Sequence, residues 1–344
     1  MRIAVDVMGG DHAPSAILAG CLDAVPLLGD AHTLVLVGES SVIERGLDER
    51  GLKGHAQIEV VGTTQVIEMG DSPVAALRGK PDSSIVRLME LGGRKAGDSY
   101  CDVVLSAGNT GACVAAAQMS MRRLPNVHRP GIAVTMPTFG GPVVVCDVGA
   151  NPEPRAAHLH QYGKMSAIYA EQVLGLKDPK VALLSIGGEE SKGNVLVKET
   201  HQLFKGDSGV NYVGFVEGRD LFFGKASVVV TEGFTGNVVL KLSEGLAAGL
   251  FKTIGAEIAS ISTGMAEQFG PVVKSIYKKH DYHEFGGAPL LGANGICMIL
   301  HGSSESRTVM AAIRSSMMHV EHRVNDRLIE SLSEDGVREP EGAA

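Results

Sequence analysis

The sequence predicts an α/β protein: a mostly parallel sheet with helices on both faces. Three observations carry this. Short β-branched runs alternate with helical stretches along the chain. Several apolar runs end directly in small-residue loops, as strands of open α/β sheets do. The 344 residues, 44% apolar and 20% charged, have the balance of a globular chain with a sizeable core.

Strands are expected over residues 3–7, 33–38, 58–61, 102–106, 132–136, 143–147, 181–186, 212–216 and 227–231. Helices are expected over 15–25, 82–92, 111–123, 156–174, 195–203, 243–261 and 305–332. No composition break marks a linker, so 1–332 reads as one catalytic α/β domain. It includes a helical hairpin at about 243–280, and the polar stretch 333–344 reads as a loose tail.

The strand ends hold the chemistry. Val7 leads into Met8-Gly9-Gly10-Asp11-His12, and Leu105 into Ser106-Ala107-Gly108-Asn109-Thr110-Gly111. Cys146 leads into Asp147-Val148-Gly149-Ala150-Asn151. Ile186 leads into Gly187-Gly188-Glu189-Glu190-Ser191-Lys192-Gly193-Asn194, and Thr231 into Glu232-Gly233-Phe234-Thr235-Gly236-Asn237. In a parallel sheet these five loops share one edge and converge on one crevice. Glycine lets backbone N–H groups approach a ligand, and a following helix adds free donors and a positive dipole end. Such loops suit a phosphate-like anion. Asn109, Asn151, Asn194 and Asn237 add uncharged donors and acceptors; His12 and Lys192 can add charge. Any one loop alone reads more readily as a tight turn or helix cap.

Other function classes are excluded or weakened. The formal net charge of -8 argues against a general nucleic-acid binder. No Gly-x-Gly-x-x-Gly, Walker or Gly-x-Ser-x-Gly pattern is present. The pairs His158/His160, His280/His283 and His319/His322 lack a third ligand at metal spacing, so no metal or cofactor is expected. Cys21, Cys101, Cys113, Cys146 and Cys297 read as reduced, buried thiols; Cys113 is the one that could serve as a nucleophile. The start Met-Arg-Ile-Ala-Val-Asp-Val reads as a strand rather than a signal peptide, and a cytoplasmic protein is expected.

Several segments together resemble the bacterial acyl-carrier-protein:phosphate transacylases, the PlsX family. They are Met1–Pro14, Ser106–Ala112, Asp147–Asn151, Gly187–Asn194, Gly233–Val238, Gly286–Gly292 and His301–Ser304, with Asp71-Ser72-Pro73, Ala76-Leu77-Arg78 and Val216–Asp220 between them. The likeness runs to about Arg314. Val7, Ser185 and Glu232 depart from the family's usual alanine, asparagine and aspartate. The resemblance implies a three-layer α/β/α sandwich, similar to phosphate acetyltransferases and isocitrate dehydrogenase-like enzymes, and a homodimer. It implies transfer of a long acyl chain from acyl carrier protein to inorganic phosphate. The acyl phosphate would then feed a membrane glycerol-3-phosphate acyltransferase in phospholipid synthesis. Two rivals remain: a phosphate acetyl- or butyryltransferase using coenzyme A, and a non-catalytic membrane scaffold.

This chemistry asks for positioning more than for acid–base groups. Phosphate is a ready nucleophile near neutral pH, and a thiolate leaves readily. The expected phosphate contacts are Gly9, Gly10, Asp11, His12, Asn109, Thr110 and Gly111, with Asn151 and Glu189 lining the site. Lys192 balances charge, Asn194 or Asn237 donates to the oxyanion, and His12 protonates the departing sulfur. Asp11 can instead cap the first helix, and Lys192 can simply pair with Glu189 rather than act on the substrate. An acidic carrier calls for a basic docking patch, either Arg122-Arg123 with His128-Arg129, or Lys274 with Lys278-Lys279. The spacing of apolar residues in 250–277, including Met265, Phe269, Val272 and Val273, gives a stripe for dimer or peripheral membrane contact at the inner face of the cell membrane, broken near 263–264 or 270–271.

Overall fold

The structure is a computed structural model describing residues 1–279 and 285–334. His280, His283 and nearly all of the 333–344 tail lie outside the described residues.

The chain begins with β1 (Arg2–Asp6), α1 (Ser15–Asp23), β2 (Thr33–Gly38), α2 (Ser40–Glu49) and β3 (Ile58–Gly62). Then come α3 (Pro73–Gly79), α4 (Ser84–Leu91), β4 (Val103–Ser106), α5 (Thr110–Ser120), β5 (Gly131–Thr138) and β6 (Gly141–Cys146). α6 (Ala156–Gln172), β7 (Val181–Leu184), α7 (Val195–Lys205), β8 (Tyr212–Val216) and β9 (Val228–Val230) follow. The described chain closes with α8 (Gly233–Ile261), α9 (Thr263–Lys279), β10 (Ala288–Leu291), β11 (Ile296–Ile299), α10 (Ser306–Glu321) and α11 (Val324–Glu334).

Among the described residues, eleven strands join one sheet, in the order β3-β2-β1-β4-β11-β10-β5-β6-β9-β7-β8. Side chains alternate between its faces. Ile3, Val5, Leu34 and Leu36 point into a core with α1, α2 and α10, while Ala4, Val35 and Val37 point into another with α3, α4 and α5. In the second half, Val144, Val181, Val228 and Val230 face α6, α7 and α11. Val145, Ala182 and Val229 face the other way, toward Leu240 of α8. Both faces are buried, which makes the three-layer sandwich.

Two pieces of the sheet were not expected. The Gly286–Gly292 segment, for which no strand was expected, contains β10, and the chain then turns back through β11. These two pair antiparallel, β10 pairs antiparallel with β5, and β5 pairs antiparallel with β6. Two short hairpins therefore reverse the chain between the halves. β1, β2, β3, β4 and β11 run one way; β6, β7, β8 and β9 run the other. The expectation that all five loops share one edge is corrected: the loops after β1 and β4 lie at one edge, and those after β6, β7 and β9 at the opposite one.

Helix ends were also shifted. The expected helix 305–332 is two helices, broken at Arg323, whose φ is 52°. α8 starts ten residues before the expected 243, because Glu232 caps it. α8 and α9 pack as two successive helices with the turn at Ser262 and Pro271 inside α9. Beyond its first turns α8 exposes Leu242, Leu246 and Leu250 in a four-residue repeat. In α9, Phe269 and Val272 are exposed, and Met265 and Val273 are half-buried.

Candidate active site

At the first edge, β1 ends in Asp6, whose carboxylate is fully buried. It accepts from the Ser106 hydroxyl at 2.7 Å and the Met8 N–H at 3.0 Å. Ser106 Oγ in turn accepts the Gly108 N–H at 3.0 Å. One carboxylate thus ties the loop after β1 to the loop after β4. Burial pushes its pKa up, against these stabilising hydrogen bonds. The packing explains the glycine: a Cβ on Gly9 would sit 2.4 Å from Asp6 Oδ2 and 2.7 Å from Gly108 N. Gly10 has φ 114°, and the Asp11 N–H donates to Gly302 O at 2.7 Å, bringing the segment after β11 into the same cluster.

Asn109 is buried and its amide is used inside the fold. Oδ1 accepts the Ala112 N–H at 3.0 Å and caps α5. Nδ2 is shared among the carbonyl oxygens of Glu68, Met69 and Asp71 at 3.3, 3.1 and 3.0 Å. The cap leaves the Thr110 and Gly111 N–H groups without an acceptor among the described residues, and Gly111 is exposed. The donors open to an anion are therefore backbone groups. His12 is exposed and makes no side-chain hydrogen bond among the described residues.

Sequence reasoning missed three residues here: Lys241, Glu244 and His301. The Lys241 ammonium meets His301 Nε2, and Glu244 lies 3.2 Å from Lys241. His301 Nδ1 is 2.6 Å from the Ser303 hydroxyl. Burial, then the Lys241 charge, push the His301 pKa down; Glu244 and Asp11 pull it up. An imidazole and a lysine so stand beside Asp11 and the glycine loops. The His301–Ser304 motif hinted at this. Lys241 sits inside a helix, and no sequence signal marks it.

At the opposite edge a second buried carboxylate repeats the first arrangement. Asp147 Oδ1 accepts the N–H groups of Ile132, Gly149 and Ala150 at 3.0, 3.1 and 3.0 Å. Oδ2 accepts from the Asn151 N–H at 2.7 Å and from its side chain at 3.1 Å. Asn151 also donates to Pro130 O at 2.8 Å, so it is a structural clamp. Here too burial raises the carboxyl pKa. Asn237 packs beside Gly149 from the second turn of α8. That helix start offers no open anion site: Glu232 already accepts from Phe234 N at 2.6 Å and Thr235 N at 3.0 Å. Asn237 and Lys241 are one turn apart on one face, so α8 links the two loop sets.

The remaining expected residues stand apart. Glu189 and Lys192 are exposed, with the Lys192 N–H on Glu189 O at 2.9 Å. Asn194 caps α7 through Val197 N at 2.9 Å. Among the described residues no hydrogen bond or ion pair joins these three to either loop set. All five cysteines are buried, and burial pushes the Cys113 thiol up to about 12, far from a reactive thiolate. His160 lies 2.9 Å from Asp207, and His319 stacks on Tyr169 in the core.

A family profile described as "Fatty acid synthesis protein" matches residues 1–327. A phosphate acyltransferase from Nitratidesulfovibrio vulgaris is 41% identical over 335 residues, 96% of this chain and 94% of its own. One from Desulforamulus reducens is 42% identical over 341 residues, 98% of this chain and 100% of its own. The chain belongs to the phosphate acyltransferase (PlsX) family. As a member it is an acyltransferase. Among solved structures, a phosphotransacetylase from Streptococcus pyogenes superposes with a TM-score of 0.60 at 15% identity, covering 96% of this chain and 94% of its own. A branched-chain phosphotransacylase from Enterococcus faecalis V583 gives 0.57 at 17% identity, with 94% and 100% covered. These share the phosphate acyltransferase fold.

In this acyltransferase, Asp147→Asn turns one acceptor oxygen into a donor facing N–H groups. The expected loss is about 3 kcal/mol of stability, read by urea denaturation. An unchanged midpoint would show that the carboxylate does not hold its loop.

Proposed function

We propose that this enzyme moves a long-chain acyl group from acyl carrier protein to inorganic phosphate, releasing acyl phosphate and free carrier. The observation that carries this is the set of open donors around the first loop cluster. The Thr110 and Gly111 N–H groups are free at a helix start whose loop packs against the glycine loop after β1, and Lys241 and His301 stand near Asp11 of that loop. Phosphate binds there and is held in line with the thioester carbonyl. Lys241 takes the charge-balancing role that the sequence suggested for Lys192. His12 protonates the departing sulfur. Asn109 is a positioning residue: it sets the α5 start and ties down the 68–71 segment. Asn237, with α8, aligns the second loop set against the first.

The exposed stripe of α8 and α9 serves the rest of this function. We assign it to a homodimer contact, with the turn near Met265–Val273 resting on the inner face of the membrane. Acyl phosphate released there meets a membrane glycerol-3-phosphate acyltransferase. Among the described residues no helix is long and apolar enough to cross a membrane.

The activity test supplies acyl carrier protein thioester or acyl-coenzyme A with phosphate and traps acyl phosphate as a hydroxamate. Wild type gives hydroxamate with the carrier donor. Lys241→Ala lowers kcat/KM by about 10²- to 10³-fold, and Lys192→Ala changes it within roughly twofold. Absence of hydroxamate from either donor, or the reverse ranking of the lysines, would refute this placement. For the membrane contact, liposome flotation of Phe269→Glu is expected to fall well below wild type; equal flotation removes that assignment.

A further inference from the structure

A cavity of about 1540 Å³ opens beyond the far end of α5, away from the glycine cradle. It is larger than the usual small-molecule site of about 300–1,000 Å³. Arg94, Arg122, Arg123 and His128 line it, and Met119 stands at its rim with 70% of its surface exposed. The chain carries a net charge of -8, so a cluster of cations is a local exception. Arg94, Arg122 and Arg123 also lack a carboxylate within 4.0 Å among the described residues, whereas Arg2, Arg50, Arg87, Arg219 and Arg323 each have one. Asp207, the acid in the cavity wall, is paired with Lys164 at 3.2 Å and His160 at 2.9 Å.

The segment that presents Arg122, Arg123 and His128 is held rigidly. Arg122 and Asn126 have φ of 66° and 63°, left-handed values uncommon outside glycine. The backbone is pinned by Leu124 N on Gly292 O at 2.9 Å and Asn294 N on Arg122 O at 3.1 Å. Gln161 clamps it from below, accepting His128 N–H at 2.9 Å and donating to Asn126 O at 2.8 Å. The Arg123 guanidinium donates to His128 O at 2.6 Å, so that side chain serves the loop. Arg94, on the neighbouring 94–99 turn, and Arg122 are left without a carboxylate partner among the described residues, beside an exposed methionine. Arginine flanking an apolar anchor is the composition of a protein-binding face.

We infer that this face docks the acidic surface of the protein that carries the acyl donor, through Arg94 and Arg122 around Met119. The inference rests on the carrier-donor reading above. It also places the donor: α5 is 11 residues, about 16 Å, long, and it joins this mouth to Thr110 and Gly111. A docked carrier reaches the cradle only on an extended arm of about that length.

The test is the double variant Arg94→Glu with Arg122→Asp; aspartate tolerates the left-handed backbone at 122. Both it and wild type are assayed with acyl carrier protein thioester and with acyl-coenzyme A as a small donor. The expected result is a KM for the carrier donor raised about tenfold or more with kcat kept, and little change with the small donor. Wild-type KM for the carrier should also rise with ionic strength, and the variant's much less. A carrier KM equal to wild type overturns the docking site, as does an equal loss on both donors. Wild type that turns over only the small donor overturns the carrier reading itself, and the docking site with it.

Discussion

Two buried carboxylates hold the site together. Asp6 ends β1 and Asp147 directly follows β6, and each spends its charge both on N–H groups of its own loop and on a donor from another strand, the Ser106 hydroxyl for Asp6 and the Ile132 N–H for Asp147. Taking a carboxylate out of water is costly, and the upward pKa shifts of both record that cost. The hydrogen bonds return enough to keep each loop in one shape. Everything nearer the chemistry depends on this. Gly9 has no room for a side chain because Asp6 sits beneath it, and the Asn151 clamp exists because Asp147 receives it.

The two carboxylates lie at opposite edges of the sheet, so the sheet alone does not bring their loops together. α8 does this work. It starts against the Asp147 loop, passes Asn237 by Gly149, and one turn later sets Lys241 beside His301 and the Asp11 loop. Its N-terminus is closed by Glu232, which accepts from both Phe234 and Thr235. The open helix start is that of α5. This asymmetry is why we place the anion at the first loop set.

Much of this was legible in the sequence. The nine expected strands, the α/β layering and the glycine loops all appear, because apolar runs punctuated by glycine leave few other choices. The strand directions were misread. The stretch between Met136 and Val143 is too short for a helical crossover, so it demanded an antiparallel hairpin and a split of the loops between two edges. Asn109 and Asn194 drew attention as site residues for a property that equally makes them helix caps. Lys241 could not be found: its neighbour in space is sixty residues away, and helix interiors are full of solvated lysines.

The central claim is that phosphate is held at the α5 start, between the loops after β1 and β4. Hydrogen exchange of backbone amides, with and without saturating inorganic phosphate, tests it without depending on any acyl donor. Slowed exchange is expected in peptides covering Gly9–Asp11 and Thr110–Gly111, and no change across Gly187–Asn194. Protection confined to the Gly187–Asn194 loop, or none at the α5 start, would contradict it.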